Sequence, residues 1–121
     1  MTSGKLADRR ILVVEDSPLI ATVLEDMLKD MGCTVVGPTG NMAFGVELAT
    51  NEEIDAAVID LNIRGGKVYP VAEVLAARNI PFIIASGYAD WTMRDDMKDR
   101  PRLTKPYSAE AVEEQLTKLF E

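Results

Sequence analysis

Short runs of continuous apolar residues alternate along this chain with longer segments whose apolar positions recur every three or four residues. The first run, Ile11-Leu12-Val13-Val14, is rich in β-branched residues and has no polar alternation, which predicts a strand buried on both faces. Ser17-Pro18 follows as an N-cap and first helical residue. Ile20, Val23, Leu24, Met27, Leu28 and Met31 then form a stripe at helical spacing, and Gly32 stands where a left-handed C-terminal residue closes a helix.

The alternation continues. Thr34 to Gly37 predicts a second strand ended by Pro38, and Asn41 caps a helix to about Thr50 with Met42, Val46 and Ala49 inward. Ala56-Ala57-Val58-Ile59 predicts a third strand running into Asp60. A loop with Gly65-Gly66 leads to a helix presenting Val71, Val74 and Leu75, which Pro81 ends before a fourth strand, Phe82-Ile83-Ile84-Ala85. Asp90 to Lys98 carries a weak helical pattern in which only Trp91, Met93 and Met97 can pack. Arg102-Leu103-Thr104 gives a short fifth strand at a sheet edge, and Ser108 caps a last helix with Ala109, Val112, Leu116 and Leu119 facing in. Five strands alternating with five helices predict an α/β fold, a flavodoxin-like (βα)5 doubly wound parallel sheet with strand order 2-1-3-4-5. The chain has the length of one domain, expected over residues 10–121, with polar residues 1–9 as a flexible lead-in.

Charge and composition remove several classes of function. With 13 Lys and Arg against 20 Asp and Glu, the net charge is −7, and no basic face for a phosphate backbone is visible; no nucleic-acid partner is expected. A basic protein surface is the partner such acidity suits. No apolar run approaches the roughly 20 residues of a membrane span, and Met1 to Arg10 lack the apolar stretch of a signal peptide. No membrane partner and a cytoplasmic location are therefore expected. The single cysteine, Cys33, excludes an internal disulfide and reads as a small core filler.

In open α/β sheets ligands bind outside the carboxyl ends of the strands. Glu15 and Asp16 stand after the first strand, Asp60 after the third, Ser86 after the fourth and Lys105 after the fifth. Three carboxylates, a hydroxyl and an ammonium thus converge on one edge. Crowded carboxylates repel unless a cation neutralises them. The oxygens are hard donors, and the chain has no histidine, so Mg²⁺ is the expected cofactor and zinc or copper is not. Lys105 and Ser86 can hold phosphoryl oxygens, and a carboxylate can itself attack phosphorus. The chemistry indicated is phosphoryl transfer, which needs positioning and charge neutralisation above all. Ser17 reads as a cap alone. Gly65-Gly66 reads as turn chemistry, because the Gly-Lys-Ser/Thr ending of a P-loop is missing.

From about Arg10 to Phe120 the chain resembles the receiver domain of two-component response regulators. The matching motifs are Val13-Val14-Glu15-Asp16-Ser17-Pro18, Val58-Ile59-Asp60-Leu61-Asn62, Ala85-Ser86-Gly87-Tyr88 and Thr104-Lys105-Pro106-Tyr107. The resemblance implies that Asp60 takes a phosphoryl group from a sensor histidine kinase or phosphotransfer protein. It implies that Asp16, Asp60 and the backbone carbonyl of Asn62 ligate Mg²⁺, with Glu15 acting through water. Ser86 and Lys105 would read the bound phosphoryl group, and Lys105-Pro106 would be cis. The implied protein is a phosphoacceptor signalling domain that catalyses its own phosphorylation and dephosphorylation, not a conventional enzyme. With the chain ending just after the last helix, its response is expected to pass through a separate downstream protein, or the domain drains phosphate from a shared kinase.

Some positions depart from the common pattern. Arg102 stands where most receivers carry an aromatic switch residue, and the loop after Asp60 has Gly65-Gly66 in place of the usual proline and downstream glycine. The stretch Pro81 to Tyr88 resembles a stand-alone subgroup with a Phe-Ala-Thr-Gly-type motif. Signalling is then expected to order the segment Asp90 to Lys98, with Asn62 and Tyr88 tuning phosphate lifetime. Two rivals stay open. A haloacid-dehalogenase-type phosphatase uses similar groups but wants a second aspartate where Asn62 stands. A flavodoxin-like cofactor binder wants a phosphate-binding loop where Glu15-Asp16 would repel the ligand.

Overall fold

The computed structural model describes residues 4–64, 66–87 and 94–121. In chain order the elements are β1 (Arg10–Val14), α1 (Pro18–Asp30), β2 (Thr34–Thr39), α2 (Met42–Asn51), β3 (Ala56–Asp60), β4 (Asn62–Ile63), β5 (Gly66–Lys67), α3 (Tyr69–Ala77), β6 (Phe82–Ser86), β7 (Arg102–Thr104) and α4 (Ala109–Leu119). The main sheet runs β2-β1-β3-β6-β7, all parallel, which is the expected 2-1-3-4-5 order with the five long strands counted alone.

Why the central strands read as unbroken apolar runs is now visible. In β1, Leu12 and Val14 point to one side of the sheet and Ile11 and Val13 to the other, and helices cover both. β3 and β6 divide the same way, with Ile59 and Phe82 in the layer shared with Val71 and Leu75 of α3. Val58 and Ile83 lie in the layer shared with Leu24 and Leu28 of α1 and Val112 and Leu116 of α4. Three helices start where their polar caps predict. Ser17 accepts from Ile20 N at 3.4 Å, Asn41 Oδ1 from Phe44 N at 2.8 Å and Ser108 Oγ from Ala111 N at 3.1 Å. Gly32, at φ 89°, closes α1 as expected.

The structure departs from the sequence pattern at five places. Pro38 does not end the second strand: β2 continues to Thr39, because an edge strand tolerates proline where the register shifts, and Gly37-Pro38 is a cis peptide. The loop after Asp60 is a small antiparallel hairpin, β4–β5. Residues 95–99 form turns and not a helix, so the described residues hold four helices; 88–93, with Tyr88, Asp90, Trp91 and Met93, lie outside them, as does Gly65. The lead-in is packed, with Leu6 fully buried beneath α1 and α4 residues and Asp8 N donating to Gly32 O at 2.9 Å. Its polar composition hid the single leucine that anchors it. Finally, Val23 is 43% exposed, because α1 turns Ala21, Leu24 and Leu28 to the sheet. No helix among the described residues is long and apolar enough to cross a membrane.

Candidate functional site

The carboxyl ends of β1, β3 and β7 bring the acidic residues and the lysine together. One oxygen from each of Glu15, Asp16 and Asp60 lies within 4.8 Å of the others. Glu15 and Asp60 are buried, whereas Asp16 is only partly so. The Lys105 ammonium bridges the two buried carboxylates, 2.7 Å from Glu15 Oε1 and 2.9 Å from Asp60 Oδ2. Glu15 Oε2 accepts from Ser17 N at 3.1 Å, so the N-cap residue of α1 also holds that carboxylate. Asp60 Oδ1 accepts from Asn62 N at 3.3 Å.

These contacts set the electrostatics. Burial pushes the Asp60 carboxyl up to about 6; the Lys105 hydrogen bond opposes that rise and the Glu15 charge adds to it. Burial pulls the Lys105 ammonium down, but its hydrogen bonds to Glu15 and Asp60 outweigh this and leave it above its ordinary value. Tyr107 is pushed up to about 12 by burial and then by the Glu15 charge, and its buried hydroxyl has no hydrogen-bond partner among the described residues.

Ser86 is buried at the end of β6, one residue beyond Ala85, which lies opposite Asp60. Its carbonyl accepts from Lys105 N at 2.8 Å, and Lys105-Pro106 is cis. Arg102 stands lower on β7, opposite Ile84. Tyr88 lies outside the described residues. The donor set of three hard carboxylate oxygens, two of them buried against each other, fits a Mg²⁺ ion better than a soft metal.

Two contributors were not anticipated. A Cβ on Gly40 would lie 2.6 Å from Asp16 Cα and 2.9 Å from Asp16 Cβ, so only glycine lets the loop after β2 press against Asp16. Thr39 O accepts from Glu15 N at 2.9 Å, so the second strand buttresses the site although it lends it no charged group. A glycine closely following a strand-end threonine was the available signal. Beside Lys105 an apolar groove of about 430 Å³ is lined by Leu19, Ile20, Val23, Pro106 and Tyr107, with Leu19 75% exposed.

Known proteins share this fold. SdrG from Sphingomonas melonis Fr1 is 43% identical, with a TM-score of 0.83, covering 96% of this chain and 98% of that one. SdrG is also described in a BeF3-activated conformation, at a TM-score of 0.79. The receiver domain of the Pseudomonas aeruginosa PAO1 sensor histidine kinase PA1611, 24% identical, shares the fold at a TM-score of 0.80 over 94% of this chain and 98% of that one; it has a magnesium ion coordinated in its active-site cleft. The transcriptional regulatory protein PdtaR of Mycobacterium tuberculosis is 28% identical over 104 residues, 83% of this chain, which spans about half (51%) of that protein's length. Residues 11–117 match the response regulator receiver domain, and the chain, with Glu15, Asp16, Asp60 and Lys105 gathered at one sheet edge, belongs to that family.

Proposed function

We propose that Asp60 is a phosphoacceptor, taking a phosphoryl group from a phosphohistidine on a sensor histidine kinase or phosphotransfer protein in a Mg²⁺-dependent reaction. The observation that carries this reading is the Lys105 ammonium bridging Glu15 and Asp60 in a pocket where three carboxylates meet. Glu15, Asp16 and Asp60, with the Asn62 carbonyl, are the groups that would hold the metal. Bound there, Mg²⁺ supplies positive charge against the oxygens of the transferring group. An Asp60 oxygen forms the new bond to phosphorus while the phosphorus–nitrogen bond to the donor imidazole breaks, its electron pair returning to the ring. Lys105 exchanges a carboxylate for a phosphoryl oxygen, and Ser86 donates to another. The magnesium of the PA1611 receiver and the BeF3-activated state of SdrG support carrying this chemistry over.

The apolar groove supports a protein donor, because exposed Leu19 and Val23 line it together with Lys105, the ion-pair partner of Asp60. With Arg102 in the place of an aromatic ring, the switch does not run through a ring at that position, and the response passes to a separate downstream protein. In the phosphatase alternative, the residue two past the nucleophile must donate a proton, and Asn62 has no acid to give.

Incubation with acetyl phosphate and Mg²⁺ tests the reading. One base-labile phosphoryl group per chain, lost in Asp60→Asn, is expected. Stoichiometric labelling of Asp60→Asn, or steady release of phosphate with no label retained, would overturn it.

A further inference from the structure

The turn of the hairpin after Asp60 carries a cation that the transfer reaction leaves unused. β4 and β5 pair with Asn62 opposite Lys67 and Ile63 opposite Gly66, which leaves Arg64 in the turn. The hairpin is anchored from beneath: Leu61 and Val68 are fully buried, Ile63 is nearly so, and Val68 N donates to Leu61 O at 2.8 Å. Side chains alternate in direction along a strand, so the residue after buried Ile63 turns outward. Arg64 is exposed accordingly. It lines a cavity of about 350 Å³ together with Asp16, Pro18, Gly40 and Asn41. The loop after β2 is a fixed wall of that cavity, because Gly40 presses against Asp16 with no room for a Cβ and Asn41 Oδ1 caps α2. A guanidinium and a carboxylate of the acidic cluster therefore share one cavity.

The charge of Arg64 is not neutralised elsewhere. Arg10 pairs with Glu52, and Arg94 with Glu73 and Asp96, whereas Arg64 has no ion pair among the described residues. Lys105 already faces two carboxylates. Three carboxylates against that one ammonium leave the pocket negative, in a chain of net charge −7. A phosphoryl donor is itself an anion, so this field opposes its approach to Asp60. An unpaired cation in the cavity of Asp16 offsets the field for the donor, and the same cation repels Mg²⁺. The two effects have opposite sign. Damage to the fold would weaken both ligands together; removal of a charge separates them.

We infer that Arg64 is a donor-selecting residue, which draws an anionic phosphoryl donor toward Asp60 while weakening the binding of Mg²⁺. The inference rests on Asp60 being the phosphoacceptor. The full chain is labelled at saturating Mg²⁺ with acetyl phosphate, a dianion, and with phosphoramidate, which carries a single net negative charge. Mg²⁺ affinity is measured separately by titration calorimetry. At low salt Arg64→Gln takes label from acetyl phosphate about threefold more slowly, is slowed less with phosphoramidate, and binds Mg²⁺ about threefold more tightly. Arg64→Lys keeps the wild-type behaviour toward both ligands, and high salt closes the gap between Arg64→Gln and wild type. An Arg64→Gln chain that labels from acetyl phosphate at the wild-type rate overturns the inference, as does equal slowing with the two donors. Mg²⁺ affinity unchanged or weakened in Arg64→Gln overturns it too. A wild-type chain that takes no label overturns the phosphoacceptor reading and this inference with it.

Discussion

Lys105 Nζ sits 2.7 Å from Glu15 Oε1 and 2.9 Å from Asp60 Oδ2, so one ammonium joins two buried carboxylates delivered by different strands. The lysine side chain is 21% exposed and the carboxylates 2% and 8%. Removing it leaves two buried negative charges facing each other. Lys105→Met is expected to destabilise the metal-free protein by on the order of 2 kcal/mol, short of a fully buried pair because water reaches the amine. Urea denaturation with and without Mg²⁺ checks this: the divalent ion should recover more stability in the variant than in wild type.

Asp60 titrates near 6 in the folded protein against an ordinary 3.8, because burial disfavours its charge. A raised folded value means the native state binds the extra proton, so this group's contribution is full below about 4 and is lost as pH rises through about 6. In metal-free protein, the stability of wild type relative to Asp60→Asn should therefore fall as pH rises across that window. Excess Mg²⁺, which competes with the proton, should flatten the difference. Urea midpoints of both chains over a pH series measure it.

Gly40 lies against the backbone of Asp16 with no room for a methyl group. Gly40→Ala should displace Asp16 and weaken Mg²⁺ binding by about tenfold, with a loss of about 1–3 kcal/mol in stability from overpacking. The rise of melting temperature with Mg²⁺ concentration reads the first effect, and the metal-free melt reads the second.

Leu6 is fully buried ahead of β1. Leu6→Ala should lower stability by about 2–4 kcal/mol, the range for emptying a packed leucine site. A chain with an unchanged urea midpoint would mean that residues 4–9 are not docked in solution.

The Tyr107 hydroxyl is buried with no hydrogen-bond partner among the described residues. Tyr107→Phe removes a desolvated polar group and keeps the ring, so stability should be unchanged or raised by about 1 kcal/mol. Thermal melts of the metal-free chain decide it; a clear loss would reveal a partner that the hydroxyl finds in solution.

The strand ends were legible before any coordinates. A parallel strand covered on both faces must be apolar along its length, so Ile11–Val14, Ala56–Ile59 and Phe82–Ala85 announce themselves, and the polar residue after each must lie at the sheet's carboxyl edge. That local logic brought Glu15, Asp16, Asp60, Ser86 and Lys105 to one edge by inspection. It failed where polar and apolar residues read ambiguously. Pro38 looked like a stop, yet β2, at the sheet edge, runs on through it. The segment Asp90 to Lys98 looked weakly helical; of it, the described residues 95–98 form turns, beside an Arg94 paired with Glu73 of α3 and around buried Met97.

Tertiary structure alone decided which surfaces meet. Val23 and Leu24 are adjacent, apolar and both helical, but α1 docks through Leu24 and leaves Val23 at the groove. Gly40 against Asp16 and Lys67 on Asn62 are likewise set by how a loop packs and how a hairpin pairs. Periodicity reports that a residue favours burial or solvent; it carries no information about the neighbour that will cover it, because that neighbour is chosen by the packing of the whole chain.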